Sequence, residues 1–446
     1  NMSYEAIWQQ WLFGSDSLRA RVSFALSQIL VISNVAPDLR PYAMSSYMDL
    51  LNHHAFGNYR DLLRAVTLHP AMGYFLNLQG SDKEDTAAGI HPNENYAREF
   101  LQLFTVGMVQ LDAQGTPLRD GAGQTVATYD EATVQGFARA FTGWTFAQSR
   151  SFHNADENLE ANWTTPMAPY ADHHQSGSKL LLNGVTVSGG IEADLEAAID
   201  SAFVHPNCGP FVCRQLIQRL VTSNPSPAYI GRVAAAFNDN GSRVRGDLRA
   251  VVRAILLDSE ARDPGLGAAG RFGKQREPVL RLANLLRALQ VSNPNGRNGI
   301  HALDGSESAL GQSPLLAPSV FNFFSPNFRP AGAIAAAGLA APEFQITTET
   351  TVVGGLNFLV NLVHSGGHGW GEGRLSFEWA PWQALAATPT ALVDRLDALF
   401  CHGQMSASTR SRLLTVIGAI PVGQTLNRVK SALILSLLSP DHVIQT

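Results

Sequence analysis

His91-Pro92-Asn93-Glu94-Asn95-Tyr96-Ala97-Arg98-Glu99-Phe100-Leu101-Gln102-Leu103-Phe104 sorts its side chains onto two faces when wound at 3.6 residues per turn. Tyr96, Phe100, Leu103 and Phe104 make the apolar face. Glu94, Arg98 and Gln102 fall in a row opposite, with Asn95 and Glu99 beside them. Proline at a first helical position has the required φ and lacks only an N–H that would go unbonded there, so a helix is expected from residue 91 to 106. The same period recurs over residues 4–13, 18–32, 47–54, 60–66, 191–202, 206–221, 227–238, 247–257 and 278–289, and near 389–400 and 426–438. Thr128 with Glu131 three residues on has capping-box spacing and opens a further helix with the stripe Val134, Phe137, Ala138 and Phe141, ending at Gly143.

Alternating runs are short, and hairpin turn chemistry is confined to residues 115–124 and 180–184. The expected fold class is mainly α: a large multi-helix globular body with long loops and one or two short hairpins, in one helical domain spanning 1–446. Residues 144–190 read as a long loop insertion that packs over the body and brings His173 or His174 toward the His91 helix. Residues 292–342 read as a Gly/Ser/Pro/Ala-rich loop tract.

Apolar residues make up 45% and charged residues 15% of the 446, enough for a sizeable core under a sparsely charged surface. A net charge of -5 gives no electrostatic footprint for nucleic acid. No apolar run approaches the roughly 18–20 residues of a membrane span, so the chain reads as water-soluble. It opens on Asn1-Met2-Ser3-Tyr4 rather than on an initiator or signal sequence, as a processed or incompletely observed product would. Three cysteines leave at least one thiol unpaired, and Cys208 and Cys213, five apart at a helix start, are poorly placed to bridge. Nucleophile-elbow, Walker and dinucleotide-binding signatures are missing.

The polar row on the His91 helix has two readings. As a solvated face, its Glu94–Arg98 pair contributes only about 0.2–0.5 kcal/mol. Turned inward or into a cleft, His91, Glu94, Arg98 and Glu99 form a catalytic set with an acid, a base and an anion-binding group. Asn93, Asn95, His174, Lys179, His205 and Arg214 are the matching candidates for substrate contacts. His205-Pro206-Asn207 repeats the His91 motif and His69-Pro70 echoes it, a pattern that also suits a recurring helix-entry device. Asp172-His173-His174 holds vicinal histidines, which point apart and chelate poorly, and His-x-x-x-His and Cys-x-x-Cys spacings are absent. No metal ligand is therefore assigned, and the cofactor is unknown.

Several runs resemble the bacterial family known as domain of unknown function 1800. They include Leu18-Arg19-Ala20-Arg21-Val22-Ser23-Phe24-Ala25-Leu26-Ser27-Gln28, Ala55-Phe56-Gly57-Asn58-Tyr59-Arg60-Asp61-Leu62-Leu63, the His91–Phe104 stretch and Phe141-Thr142-Gly143-Trp144. Arg219-Leu220-Val221-Thr222-Ser223-Asn224-Pro225, Arg245-Gly246-Asp247-Leu248, Ala317-Pro318-Ser319-Val320-Phe321-Asn322-Phe323-Phe324 and Leu438-Ser439-Pro440 extend the match in order along the chain. The resemblance implies a helical fold, export to a periplasmic or extracellular location, and a gene neighbour of alkaline-phosphatase-like type as a partner; it implies no reaction. The family's usual opening segment, with an Arg-Phe-Leu and a Thr-Phe-Gly element, does not precede Asn1. The family pattern centres on the stretch here numbered Asn93 to Glu99, which favours the functional reading of that helix.

Two functions stay open. One is a hydrolase-like enzyme acting on an extracellular or cell-surface polymer through the His/Glu/Arg site. The other is a non-catalytic assembly or binding protein that works with the alkaline-phosphatase-like partner or in a surface structure, with Phe321, Phe323, Phe324 and Phe328 as an interface.

Overall fold

The computed structural model describes residues 2–35, 39–154, 156, 158–263, 265–266, 270, 272–369 and 371–445. The fold is mainly helical, as the recurring 3.6 period requires, with 52% helix. Among the described residues, sheet is limited to four antiparallel pairs of two-residue strands. No described helix is long and apolar enough to cross a membrane. The chain divides into two compact units: one of Asn1–Ser17, Pro264–Leu316 and Phe323–Thr446, the other of Leu18–Asp263 and Ala317–Asn322.

In the unit built mainly from Leu18–Asp263, the apolar face of the quoted stretch makes an aromatic core. The Phe141 ring lies 5.3 Å from Tyr96 and 5.4 Å from Phe100, edge to face in both cases, and Phe137 lies 6.1 Å from Phe100. The buried Tyr96 hydroxyl is satisfied by Thr67 Oγ1 at 2.7 Å. The helix begins later than its proline suggests: α1 is Asn95–Glu99, and residues 91–94 are not helical. Asn93 Oδ1 accepts from the Asn95 N–H and Ser81 Oγ accepts from the Asn93 N–H, local bonds that hold the backbone out of a helix. After Glu99 the chain passes into a π-helical segment, Phe100–Thr105. The wider turn shifts the register, so Leu101 is buried while Leu103, expected in the core, is half-buried.

Helix α2, Glu131–Ala140, is capped by Asp130, whose Oδ1 accepts from the Thr133 N–H at 2.9 Å and the Thr133 hydroxyl at 2.8 Å. The Thr128 capping box does not form, because the Thr128 N–H bonds to the Met108 carbonyl in a ribbon over 108–128. That ribbon contains the expected turns, closed by Asp112 and Asp120. The second expected hairpin also forms: β1, Lys179–Leu180, pairs with β2, Thr186–Val187, across Asn183 and Gly184, both at positive φ. The excursion is ordered where described. Phe146, Phe152 and Trp163 are buried, and Trp163 meets Phe146 and Tyr74 at 5.0 Å each. Helices α3, Ile191–Val204, and α4, Cys208–Leu220, complete the part of this unit that frames the site.

In the other unit, helix α5 is Pro278–Ala288 and α7 is Thr425–Leu437, close to their expected bounds. Two helices not anticipated are α6, Glu349–Ser365, and a helix at Ala407–Ala419. Gly354-Gly355 and β-branched residues weaken the α6 propensity signal, yet at Gly354 a Cβ would come 2.3 Å from the Ser306 carbonyl oxygen, so packing selects glycine there. Cys208, Cys213 and Cys401 are free and buried, and burial pushes all three thiols up, Cys401 to about 11.

Gly136 lets α2 lie against β1: a Cβ there would stand 1.7 Å from the Leu180 carbonyl oxygen. On helix propensity Gly136→Ala would gain about 1 kcal/mol, but the backbone of the hairpin must move to admit the methyl, a cost of about 1–3 kcal/mol or more. We expect a net loss of stability in thermal melts of the variant. A raised melting temperature would show that α2 and the hairpin are not in this contact.

Candidate functional site

Polar side chains gather where the loop over residues 81–92 meets the 144–190 excursion. The loop is stitched down by its backbone: the Lys83 N–H donates to the His173 carbonyl at 3.0 Å, the Gly143 N–H to the Ser81 carbonyl at 2.9 Å, and the Glu84 N–H to Gln175 Oε1 at 2.7 Å. This places the Asp82 carboxylate under two imidazoles. Its Oδ2 lies 3.0 Å from His153 Nε2 and 2.9 Å from His173 Nδ1, while Oδ1 accepts from the Lys83 N–H at 2.8 Å. Phe152 fixes the plane of His173 by stacking on it at 4.0 Å and 10°.

The three donor atoms of Asp82, His153 and His173 lie within 4.8 Å of one another. A tetrahedral Zn2+ with bonds of about 2.0–2.2 Å separates neighbouring ligand atoms by roughly 3.3 Å. The two contacts to Asp82 Oδ2 are a few tenths of an ångström shorter than that, and the cluster borders solvent, with the Asp82 side chain 13% and the His153 side chain 62% exposed. Two imidazoles and one carboxylate suit a borderline divalent cation such as zinc.

Glu84 continues the polar surface, 3.5 Å from His91 Nδ1 and 3.6 Å from Arg139, near the end of α2. At the start of α2, Glu131 meets Arg98 at 3.0 Å, and Arg98 also holds Glu94 at 2.9 Å. Eight residues of α-helix separate Glu131 from Arg139, roughly 12 Å at about 1.5 Å per residue, so the charged groups form a strip along α2. Of the Glu94, Arg98 and Glu99 side expected to turn inward or into a cleft, Glu99 alone is buried; Glu94 and Arg98 have side chains 34% and 41% exposed, because α1 starts only at Asn95 and its first turn lies at the surface. Glu99 is buried with Oε2 lacking a hydrogen-bond partner, and burial raises its pKa against the pull of Arg98. The neighbouring Tyr129 is pushed up to about 12, chiefly by burial, with Arg98 opposing and Glu99 adding to the rise.

Of the proposed substrate contacts, Asn93 and Asn95 shape the entry to α1, Asn95 Nδ2 donating to Asn77 Oδ1. His174 and Lys179 lie inside the protein. Lys179 Nζ is 2.6 Å and His174 Nε2 3.0 Å from Asp194 Oδ2, whose partner Oδ1 accepts from the Gly189 N–H at 2.7 Å. The other nitrogen of His174 faces the Thr142 carbonyl at 3.0 Å, and Lys179 also donates to the Gly177 carbonyl. Burial alone would raise the Asp194 pKa, but the bonds from Lys179, His174 and Gly189 outweigh it and hold the carboxyl below its ordinary value.

His205 is buried and uses Nδ1 to accept from the Asn207 N–H at 3.1 Å, as His69 does from the Ala71 N–H at 3.2 Å. Both are helix-entry caps. His91, with a side chain 68% exposed, does not share the device. Arg214 is half-buried on α4. Asp82 and His153 were not singled out by sequence, since they stand 91 and 20 residues from His173 with no chelating spacing. The only hint was the polar loop Ser81-Asp82-Lys83-Glu84-Asp85.

A family model described as "Protein of unknown function (DUF1800)" matches residues 2–444. No curated protein and no solved structure matches the chain.

Two stability measurements separate the buried carboxyls. Asp194 has a depressed pKa, so its contribution is present above the ordinary value of 3.8 and is lost as pH falls below it. Asp194→Asn should cost about 3–5 kcal/mol at neutral pH, with the gap to the parent closing in acid; an unchanged melt at pH 7 would show the network to be inert. Glu99 has a raised pKa, so the penalty of ionising it is absent below its ordinary value of 4.5 and appears as pH rises through the folded value. Glu99→Gln should therefore melt higher than the parent at neutral pH and level with it in acid. A lower melt at neutral pH would mean that Glu99 is paired.

Proposed function

The chain belongs to this family of unknown function, and from that premise we propose that it is a hydrolase-like enzyme acting in the periplasm or outside the cell on an extracellular or cell-surface polymer. The observation that carries the reading is the convergence of His153 and His173 on Asp82 at 3.0 and 2.9 Å beside solvent. Asp82, His153 and His173 would hold a divalent metal, which would supply Lewis acidity and an activated water there. Glu84, two residues from Asp82 and in contact with His91, would serve as the base for the proton of that water, and His91 as the acid for the leaving group.

The strip along α2 favours a substrate without strong negative charge. Asp82, Glu84, Glu94 and Glu131 set four carboxylates against the guanidinium groups of Arg98 and Arg139, and both arginines are already paired. Arg98 is thus an organiser of carboxylates rather than an anion-binding group. An open, elongated strip of hydroxyl- and amide-compatible groups suits an extended glycan or peptide.

The assembly reading draws on Phe321, 52% exposed, and forecasts a stable complex with an alkaline-phosphatase-like protein and no turnover. The test is release of reducing ends from cell-wall glycan and of peptides from casein by chelator-stripped protein, with and without added Zn2+. Zinc-dependent release that falls at least about a hundredfold, ~2.7 kcal/mol in barrier, in both His153→Ala and Glu84→Gln supports the enzyme. Release indifferent to zinc and to both substitutions, or no release from either polymer, rejects it.

A further inference from the structure

The unit containing α5, α6 and α7 holds a cavity of about 240 Å3 that the Asp82 site does not involve. Its walls are mainly apolar, with Leu310, Ile346, Leu359 and Leu437 inside and Val352 and Leu356 exposed by 52% and 39% on α6, while Gln275, Thr347 and Thr351 add neutral polar groups. One charged side chain, Arg281 on α5, lines it. No described carboxylate pairs with this guanidinium, and its Nε is buried without a hydrogen-bond partner. Glu277, one turn earlier on the chain, directs Oε2 to the Gln312 amide at 2.6 Å.

The electrostatic surroundings make the mismatch worse. Burial, reinforced by the like charge of Arg276, pushes Arg281 down to about 10. His442, fully buried, is pushed down to about 3, chiefly by burial, with Arg281 and Arg276 adding to the effect. Arg281 is half-buried with its Nε sealed from solvent, a position in which a cation without a counter-charge is unfavourable, and the mainly apolar walls solvate it poorly. A ligand with an anionic head and an apolar body satisfies both features at once.

We propose that this cavity binds a medium-chain aliphatic carboxylic acid, its carboxylate on Arg281 and its chain against Leu310, Ile346, Leu359 and Leu437. A carboxylate fits the planar fork of guanidinium in a bidentate pair. Length follows from volume: an apolar cavity of about 150 Å3 accepts benzene, so one of this size accepts roughly ten non-hydrogen atoms, the size of octanoate. The α6 side chains Val352 and Leu356 mark the mouth through which the chain end enters.

The test is titration of the full chain with octanoate and, separately, with octan-1-ol, which has the same chain but no charge, read by calorimetry and by thermal shift. Octanoate should bind one per chain and at least about tenfold more tightly than octanol. Arg281→Met should bring octanoate to the level of octanol while leaving the ligand-free melt no lower than the parent's, since it removes a half-buried charge that no described carboxylate pairs. Leu356→Trp, which fills the mouth without touching Arg281, should weaken both ligands and covers the case in which Arg281→Met fails to fold. Equal affinity for octanoate and octanol in the parent, or undiminished octanoate binding in Arg281→Met, overturns the proposal. Failure of octanoate to bind the parent overturns it as well.

Discussion

A single buried carboxylate holds the site unit's loops in place. Asp194 takes Lys179 from the β1–β2 hairpin, His174 from the centre of the excursion and the Gly189 N–H from the approach to α3. Three chain segments that have no regular structure in common thereby acquire fixed positions. Because Lys179 and Asp194 are both almost fully buried, their attraction acts in a medium of low polarity, and the Gly177 carbonyl takes a further proton of the ammonium. His173 precedes His174 in the chain, so the backbone from which its ring leaves toward Asp82 is anchored on one side by this network and on the other by the Lys83 N–H.

The second constraint is the passage from α1 into the π segment. A regular helix through residues 95–105 would keep Leu103 on the aromatic core and rotate the residues after Glu99 differently; the wider turn buries Leu101 instead. Glu99 sits at the junction. Its burial is a consequence of where the aromatic rings of Tyr96 and Phe100 must lie, and its lack of a partner on Oε2 is the unfavourable part of that arrangement. Natural sequences retain such costs where activity depends on the strained group.

Most of the long helices, though not Glu349–Ser365 or Ala407–Ala419, were legible in the sequence because they rest on periodicity, and periodicity needs no knowledge of distant residues. The helices over 227–238 and 278–288 are bounded by Ser226, Pro227 and Pro278, local signals that survive in the fold. The start of α1 was misplaced because Pro92 promised a helix while Ser81, eleven residues upstream, held the next residue out of it. The candidate site was half visible. His91, Glu94 and Arg98 stand on the polar surface by local pattern alone, whereas Asp82 and His153 join His173 only through the folding of the excursion, which no spacing rule encodes. His174 and Lys179 looked functional for the same reason that they are structural: a buried ion pair with a histidine uses the residue types of an active site.

The three buried thiols have a practical corollary. A cysteine reacts through its thiolate, and Cys208, Cys213 and Cys401 combine burial with raised pKa values, so alkylating reagents reach them only when the surrounding structure opens. Cys208 and Cys213 belong to α4 in one unit and Cys401 to the other. The chain therefore carries its own reporters of opening, one set for each unit, and their labelling rates distinguish a protein whose units open together from one whose units open separately, without any engineered probe.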